Sequence, residues 1–309
     1  MAQITAALVK ELRDRTGAGM GDCKKALEAT GGDLDKAAEK LRMDGAAKAD
    51  KKAGRTAAEG VLAFAAGADA VAVVELNCET DFVAKGEDFR ALARRAAEAA
   101  LKHRPASVDE LARIKDGAET LDEARRALIA RIGENMTIRR FAIVTKAGGP
   151  LVTYMHPGDK IGVIVALDAG DEGLGRDLAM HIAAMKPAYL DAASVPAEVL
   201  EAERRIVEAQ VAQEQAEARA AAEAAGKPYK PKPAEILAKM IEGKVSKFVA
   251  ENTLLGQPFV KNPDETVEKL LKTRSARVAR YVRFEVGEGI EKQKGDFAAE
   301  VMAQAGIKA

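Results

Sequence analysis

The order of elements along the chain, more than any single residue, limits how it can fold. Val61 to Phe64, a turn at Gly67 to Asp69 and Ala70 to Leu76 read as a β-hairpin. A helix near Asp88 to Lys102, a second near Leu121 to Ile132 and a strand, IRRFAIV at 138–144, follow it. The same order then starts again. LVTYMH, a Pro157-Gly158-Asp159 turn and KIGVIVALD make a hairpin over 151–168, and GLGRDLAMHIAAMK a helix. Much later VEKLLKTRSARVARYVRFEV supplies a helix feeding a strand. Two units of hairpin, helix, helix and strand predict an α+β fold with small antiparallel sheets. They have the order of an internal duplication, although no long identical segment repeats.

Residues 1 to about 43 read as three short helices, with Ile4, Leu8 and Leu12 at helical spacing and Asp33 placed to cap the third. TGAGMGD breaks the first from the second, and GAAKADKKAGRTAAEG reads as a linker. Between the second hairpin and its last strand lies an insertion, two long helices around a proline-rich turn. Leu237, Ile241, Val245 and Phe248 share a face on its second arm, and Leu200, Val207 and Val211 mark the first. An antiparallel helical hairpin fits this pattern, its base packed and its alanine-rich tip projecting as a spacer or as a hold for a partner.

Composition removes several functions. At 309 residues the chain exceeds one ordinary core. Lys plus Arg number 48 and Asp plus Glu 48, so the net charge is zero, and no long segment is strongly basic. Direct nucleic-acid binding is therefore not expected, because phosphate neutralisation needs a basic surplus. Cys23 and Cys78 are too few for a disulfide framework or a metal cluster. The first residues carry Lys10, Glu11 and Arg13 instead of an apolar signal core, and no apolar run approaches the ~20 residues that span a bilayer. The expectation is a reduced, cytoplasmic protein without a membrane segment.

Bond-making chemistry finds no support. GAGMG at 17–21 lacks the preceding strand and the following Gly-Lys-Ser/Thr of a phosphate loop, and reads as a helix-to-helix turn. His103, His156 and His181 lie apart, with no metal spacing and no nucleophile elbow nearby. Asp171-Glu172 reads as a pair of solvated loop charges. Neither a cofactor nor a bound metal is expected. What stands out is apolar groups in connections: Met20 in the glycine turn, and Phe82 directly after Glu79-Thr80-Asp81 in a chain with only 8 Phe and no Trp. Phe82 fits a lid over its own core or an exposed wedge beside an acid. A fully buried Phe82 in the free protein would count against the second reading.

Several of these segments match a known family. LVKELRDRTGAGMGDCKKAL, NCETDFVAK, IGENMTIRR, GQPFV, RFEVGEGIEK and DFAAEV occur in its order along almost the whole chain, which thus resembles bacterial elongation factor Ts. The resemblance implies a UBA-like three-helix module with a linker at 1–55, and a two-part α+β core at 56–147 and 148–287. It further implies an inserted antiparallel coiled coil at about 196–243 and a C-terminal helical module at 288–309. It implies a guanine-nucleotide exchange factor, not an enzyme, that binds elongation factor Tu in its GDP-bound and nucleotide-free forms. Thr80, Asp81, Phe82 and Val83 would form the loop that disturbs the partner's magnesium site. Arg13 and Met20 would contact the partner's G domain, Ile132, Gly133 and Asn135 would support the wedge, and His156 would touch the partner's third domain. Family members often carry Met-Met in the turn where this chain has Met20-Gly21, one apolar group fewer. A homodimer through the core or the coiled coil stays open. So do two alternatives: a helical scaffold without exchange activity, and a nucleotide-using enzyme with GAGMG as its loop.

Overall fold

The computed structural model describes residues 4–291, and the chain is α+β, with eleven helices and four small sheets among them. The expected C-terminal module lies, from residue 292 onward, outside the described residues. The chain divides into two compact units. One holds residues 4–145, the turn Met155–Gly162 and residues 284–291; the other holds Lys146–Tyr154 and Val163–Arg283.

The first unit opens with α1 (Ala6–Thr16), α2 (Met20–Ala29) and α3 (Leu34–Lys52) around a small cluster of Val9, Leu12, Cys23, Ala26, Leu27 and Ala37. Thr5 and Asp33 cap α1 and α3 by accepting backbone N–H groups. Gly17 ends α1 at a φ of 67°, a conformation glycine adopts without cost. Met20, expected within the turn, is the first residue of α2.

The residues expected as a linker differ most from expectation: α3 runs through them to Lys52. Alanine and lysine favour helix, and a tertiary partner fixes the outcome. Gly45 and Ala49 are buried, and a side chain at Gly45 would come within 3.2 Å of Ala130 on a later helix.

Next come β1 (Glu59–Ala66), β2 (Ala70–Cys78), α4 (Asp81–Ala84), α5 (Glu87–His103), α6 (Val108–Arg113), the two-residue strands β3 (Lys115–Asp116) and β4 (Glu119–Thr120), α7 (Leu121–Ile132) and β5 (Met136–Thr145). The hairpin pairs Val61 with Leu76 and Ala65 with Ala72, and β5 joins the free edge of β2. One face of this sheet, Val61, Ala63, Ala65, Ala72, Val74 and Leu76, packs on Phe89, Leu92, Ala93 and Ala96 of α5 and on Leu128 and Ile129 of α7. The alanines of α5 let that helix approach the sheet closely. Sequence patterning missed α6 and the β3–β4 pair, which are too short to show a period.

In the second unit β6 (Leu151–Met155) and β7 (Ile161–Ala169) lead to α8 (Glu172–Met185). α9 (Ala197–Ala224) and α10 (Ala234–Asn252) follow, then β8 (Pro258–Phe259), β9 (Asn262–Thr266), α11 (Val267–Thr273) and β10 (Arg277–Glu285). The sheet order is β10-β7-β6 here and β1-β2-β5 in the first unit, so each hairpin's second strand is central. Asp171, expected as a solvated loop charge, instead caps α8: its carboxylate accepts the Leu174 N–H at 2.9 Å. α9 and α10 meet through Val207, Val211 and Val245, with Leu237 and Ile241 against them. Among the described residues no helix is long and apolar enough to cross a membrane.

Candidate functional site

The connection after β2 is not a loop, as expected, but the four-residue helix α4. Thr80 caps it, its hydroxyl accepting the Val83 N–H at 3.4 Å. A single helical turn then sorts the side chains. Val83 and Ala84 pack against the first unit's core, while Phe82 points outward with 82% of its surface exposed. Asp81 is bonded by Lys85 at 2.7 Å, and that ammonium holds its carboxyl below the usual carboxylate range. The same Lys85 sits 6.0 Å from the Phe82 ring centre. The tip therefore presents an ionised acid beside an exposed ring.

What holds the tip is polar. Glu134, in the turn between α7 and β5, accepts the Thr80 N–H at 3.0 Å and the Thr80 hydroxyl at 2.7 Å. Glu79 accepts the Asn135 N–H at 2.6 Å and pairs with Arg55 at 2.7 Å. The buried Asn135 amide donates to the carbonyls of Ala53 and Arg55. Beneath them the Cys78 thiol donates to the Thr80 carbonyl at 3.1 Å. Burial, helped by the charges of Glu134 and Glu59, pushes that thiol up to about 12, so it stays protonated and unreactive.

Of the residues expected to act, Thr80, Asp81, Phe82, Val83 and Asn135 share this neighbourhood. Gly133 ends α7 at a φ of 90°, and its carbonyl accepts from Lys52 at the end of α3. Ile132, just before it, is exposed. The α1–α2 junction lies by the same helix end, since a side chain at Gly17 would come 3.6 Å from Arg131. Arg13 and Met20 are both exposed on those two helices. His156 is exposed in the turn after β6, where its N–H donates to the Ile161 carbonyl. That turn is tied to β1: Asp159 accepts the Leu62 N–H, and Lys160 bonds Glu59, which is paired in register with Cys78. Sequence reasoning missed Glu134, Glu79 and Arg55. Glu134 stands inside the IGEN segment, yet nothing in one sequence reveals that it reaches Thr80, 54 positions away.

Among the described residues no group of three His, Cys, Asp or Glu side chains is arranged to hold a metal ion. His181 lies apart in the second unit, bonded to Gln257.

Comparison with known proteins gives one answer. The family model for elongation factor TS matches residues 79–288. The elongation factor Ts of Methylococcus capsulatus is 53% identical over 305 residues, covering 97% of this chain and 98% of the relative. Those of Thioalkalivibrio sulfidiphilus and Hydrogenovibrio crunogenus are 53% and 51% identical, each over 98% of both chains. With that agreement along nearly its full length, the chain belongs to the elongation factor Ts family of translation elongation factors.

Proposed function

We propose that this chain binds elongation factor Tu, GDP-bound or nucleotide-free, and promotes GDP release so that GTP can enter, without bond-making chemistry of its own. The α4 tip is the working part: Asp81 and Phe82 insert beside the partner's nucleotide and disturb its magnesium and phosphate site. Magnesium neutralises the phosphates that hold the nucleotide, so displacing it weakens GDP retention. Linkage makes the effect mutual, because a factor that lowers GDP affinity is itself bound less well when GDP is present. Arg13 and Met20 on the three-helix, UBA-like module, Ile132 and Gly133 beside the tip, and His156 in the β6–β7 turn supply further contacts. Asn135 supports the tip from beneath. The α9–α10 hairpin is read as the family's coiled coil, the work is done in the cytoplasm, and no nucleic acid is contacted directly.

The observation that carries this reading is the exposure of Phe82, an apolar ring that gains nothing in the free protein from facing water. Burying such a ring in a partner contributes about 1.5 to 3 kcal/mol. The double substitution Asp81→Ala, Phe82→Ala should therefore slow stimulated GDP release from purified elongation factor Tu by at least about tenfold. Its circular dichroism and melting temperature should stay near those of the parent, since neither side chain is part of the core. Unimpaired exchange by this variant would refute the insertion.

A further inference from the structure

We propose that Glu134 is a positioning residue for exchange, acting through a reciprocal clasp with Glu79 that sets the α4 tip before the partner arrives. The proposal rests on the reading of Asp81 and Phe82 as the inserted pair. The clasp is built from two loops far apart in sequence. Glu134 takes the N–H of Thr80, the residue after Glu79; Glu79 takes the N–H of Asn135, the residue after Glu134. Each glutamate thus grips the backbone beside the other. Arg55 balances the charge on Glu79, and the Asn135 amide fastens the pair to the end of α3.

Glu134 does more than join the loops. By accepting the proton of the Thr80 hydroxyl, oxygen to oxygen 2.7 Å, it turns the hydroxyl lone pairs toward the Val83 N–H, the capping bond of α4. With Cys78 on its carbonyl, Thr80 has its N–H, hydroxyl and carbonyl all partnered. A helix of one turn has no stability of its own. The arrangement that turns Val83 inward and Phe82 outward is therefore imposed by its cap, and the cap by Glu134. Holding the tip ready moves its ordering cost from binding to folding, which favours the productive complex. Without Glu134 the partner would still be held through the other contacts, but only a fraction of the complexes would present the pair correctly.

The test uses the full chain and elongation factor Tu loaded with a fluorescent GDP. GDP release measured against factor concentration gives a maximal rate and a half-saturating concentration. Glu134→Ala, which removes two charge-assisted hydrogen bonds, should lower the maximal rate by at least about tenfold and leave the half-saturating concentration nearly unchanged. Glu134→Gln should recover only part of the rate, because its carbonyl still accepts the Thr80 N–H while its amide NH2 cannot accept the hydroxyl proton. In a Phe82→Ala background, Glu134→Ala should add little, since both act through one group.

Should Glu134→Ala fail to fold, Thr80→Val against Thr80→Ser replaces it, with loss expected for the first and retention for the second. Full exchange by Glu134→Ala or Thr80→Val beside a defective Phe82→Ala would overturn the clasp and leave the insertion standing. So would independent, multiplying losses in the double variant. Full exchange by Phe82→Ala would overturn both.

Discussion

Glu75 lies wholly buried in the middle of β2, where a lone carboxylate would be costly. Burial drives its carboxyl toward the neutral form, but the Gly287 N–H at 2.8 Å, Arg140 and Arg139 outweigh it and hold it below the usual range. Arg140 also stacks over Phe284, so one carboxylate fastens residues 284–288 to the first sheet. Gly287 is needed there: at a φ of 73°, a side chain would come 2.3 Å from the Ala58 carbonyl oxygen. Glu75→Ala should therefore cost about 3 kcal/mol, because it removes the carboxylate that Arg139 and Arg140 share and leaves Arg140 only Glu288, and lower the melting temperature by roughly 6 to 12 °C. A loss within experimental error would show the clamp to be idle. His181 makes a second prediction at this scale. Burial lowers its proton affinity, only partly offset by Gln257, and its Nδ1 accepts the Val260 N–H, a role open only to the neutral ring. The unfolded chain takes up that proton near pH 6.5 and the folded chain only lower, so stability is full above about pH 6.5 and falls below it. Melting temperatures between pH 7.5 and 5.5 should show this decline, and His181→Phe should flatten it.

Element by element, alanine-rich helices owe their positions to contacts that their own sequences do not display. The far half of α3 looks like a linker, yet it lies on α7 through Gly45 and Ala130 and through the ion pairs Arg42–Glu123 and Asp50–Arg126. Gly45→Leu should then destabilise the first unit by about 1 to 3 kcal/mol despite leucine's better helix propensity. Gly21→Ala, on α2 with open space around it, should stabilise by roughly 0.5 to 1 kcal/mol. Denaturant titration of the pair separates packing from propensity; equal shifts would refute the contact. The contrast also explains what could be read in advance. α7, β2 and β7 announce themselves by long apolar patterns, and the repeated hairpin order carried the fold class. The continuation of α3 and the brief α6 could not be read, because a partner elsewhere in the chain decides the first and the second is shorter than any period. The candidate site divides likewise. Phe82 is conspicuous as an aromatic after an acid, whereas Glu134 and Glu79 grip each other's neighbours through bonds that span more than fifty positions.

For the molecule as a whole, the question left by the sequence is whether the α9–α10 hairpin is the principal binding surface or an accessory one. Its apolar cluster is confined to Val207, Val211, Leu237, Ile241 and Val245. Beyond Val211 no residue of α9 is buried, and that half is held by polar contacts such as Glu214–Lys244 at 2.5 Å and Tyr229 on Gln215 at 2.9 Å. Exposed pairs of this kind contribute about 0 to 1 kcal/mol each. Replacing residues 216–233 by a short glycine-rich turn should thus spare the cluster and leave the melting transition cooperative and little shifted. With the tip at Phe82 intact and lying in the other unit, stimulated GDP release should then weaken only mildly, through a higher half-saturating concentration at an unchanged maximal rate. Under the scaffold reading the same excision removes the partner's main hold, and complex formation on a sizing column should disappear. The two readings therefore part on one variant whose folding can be checked independently of its activity.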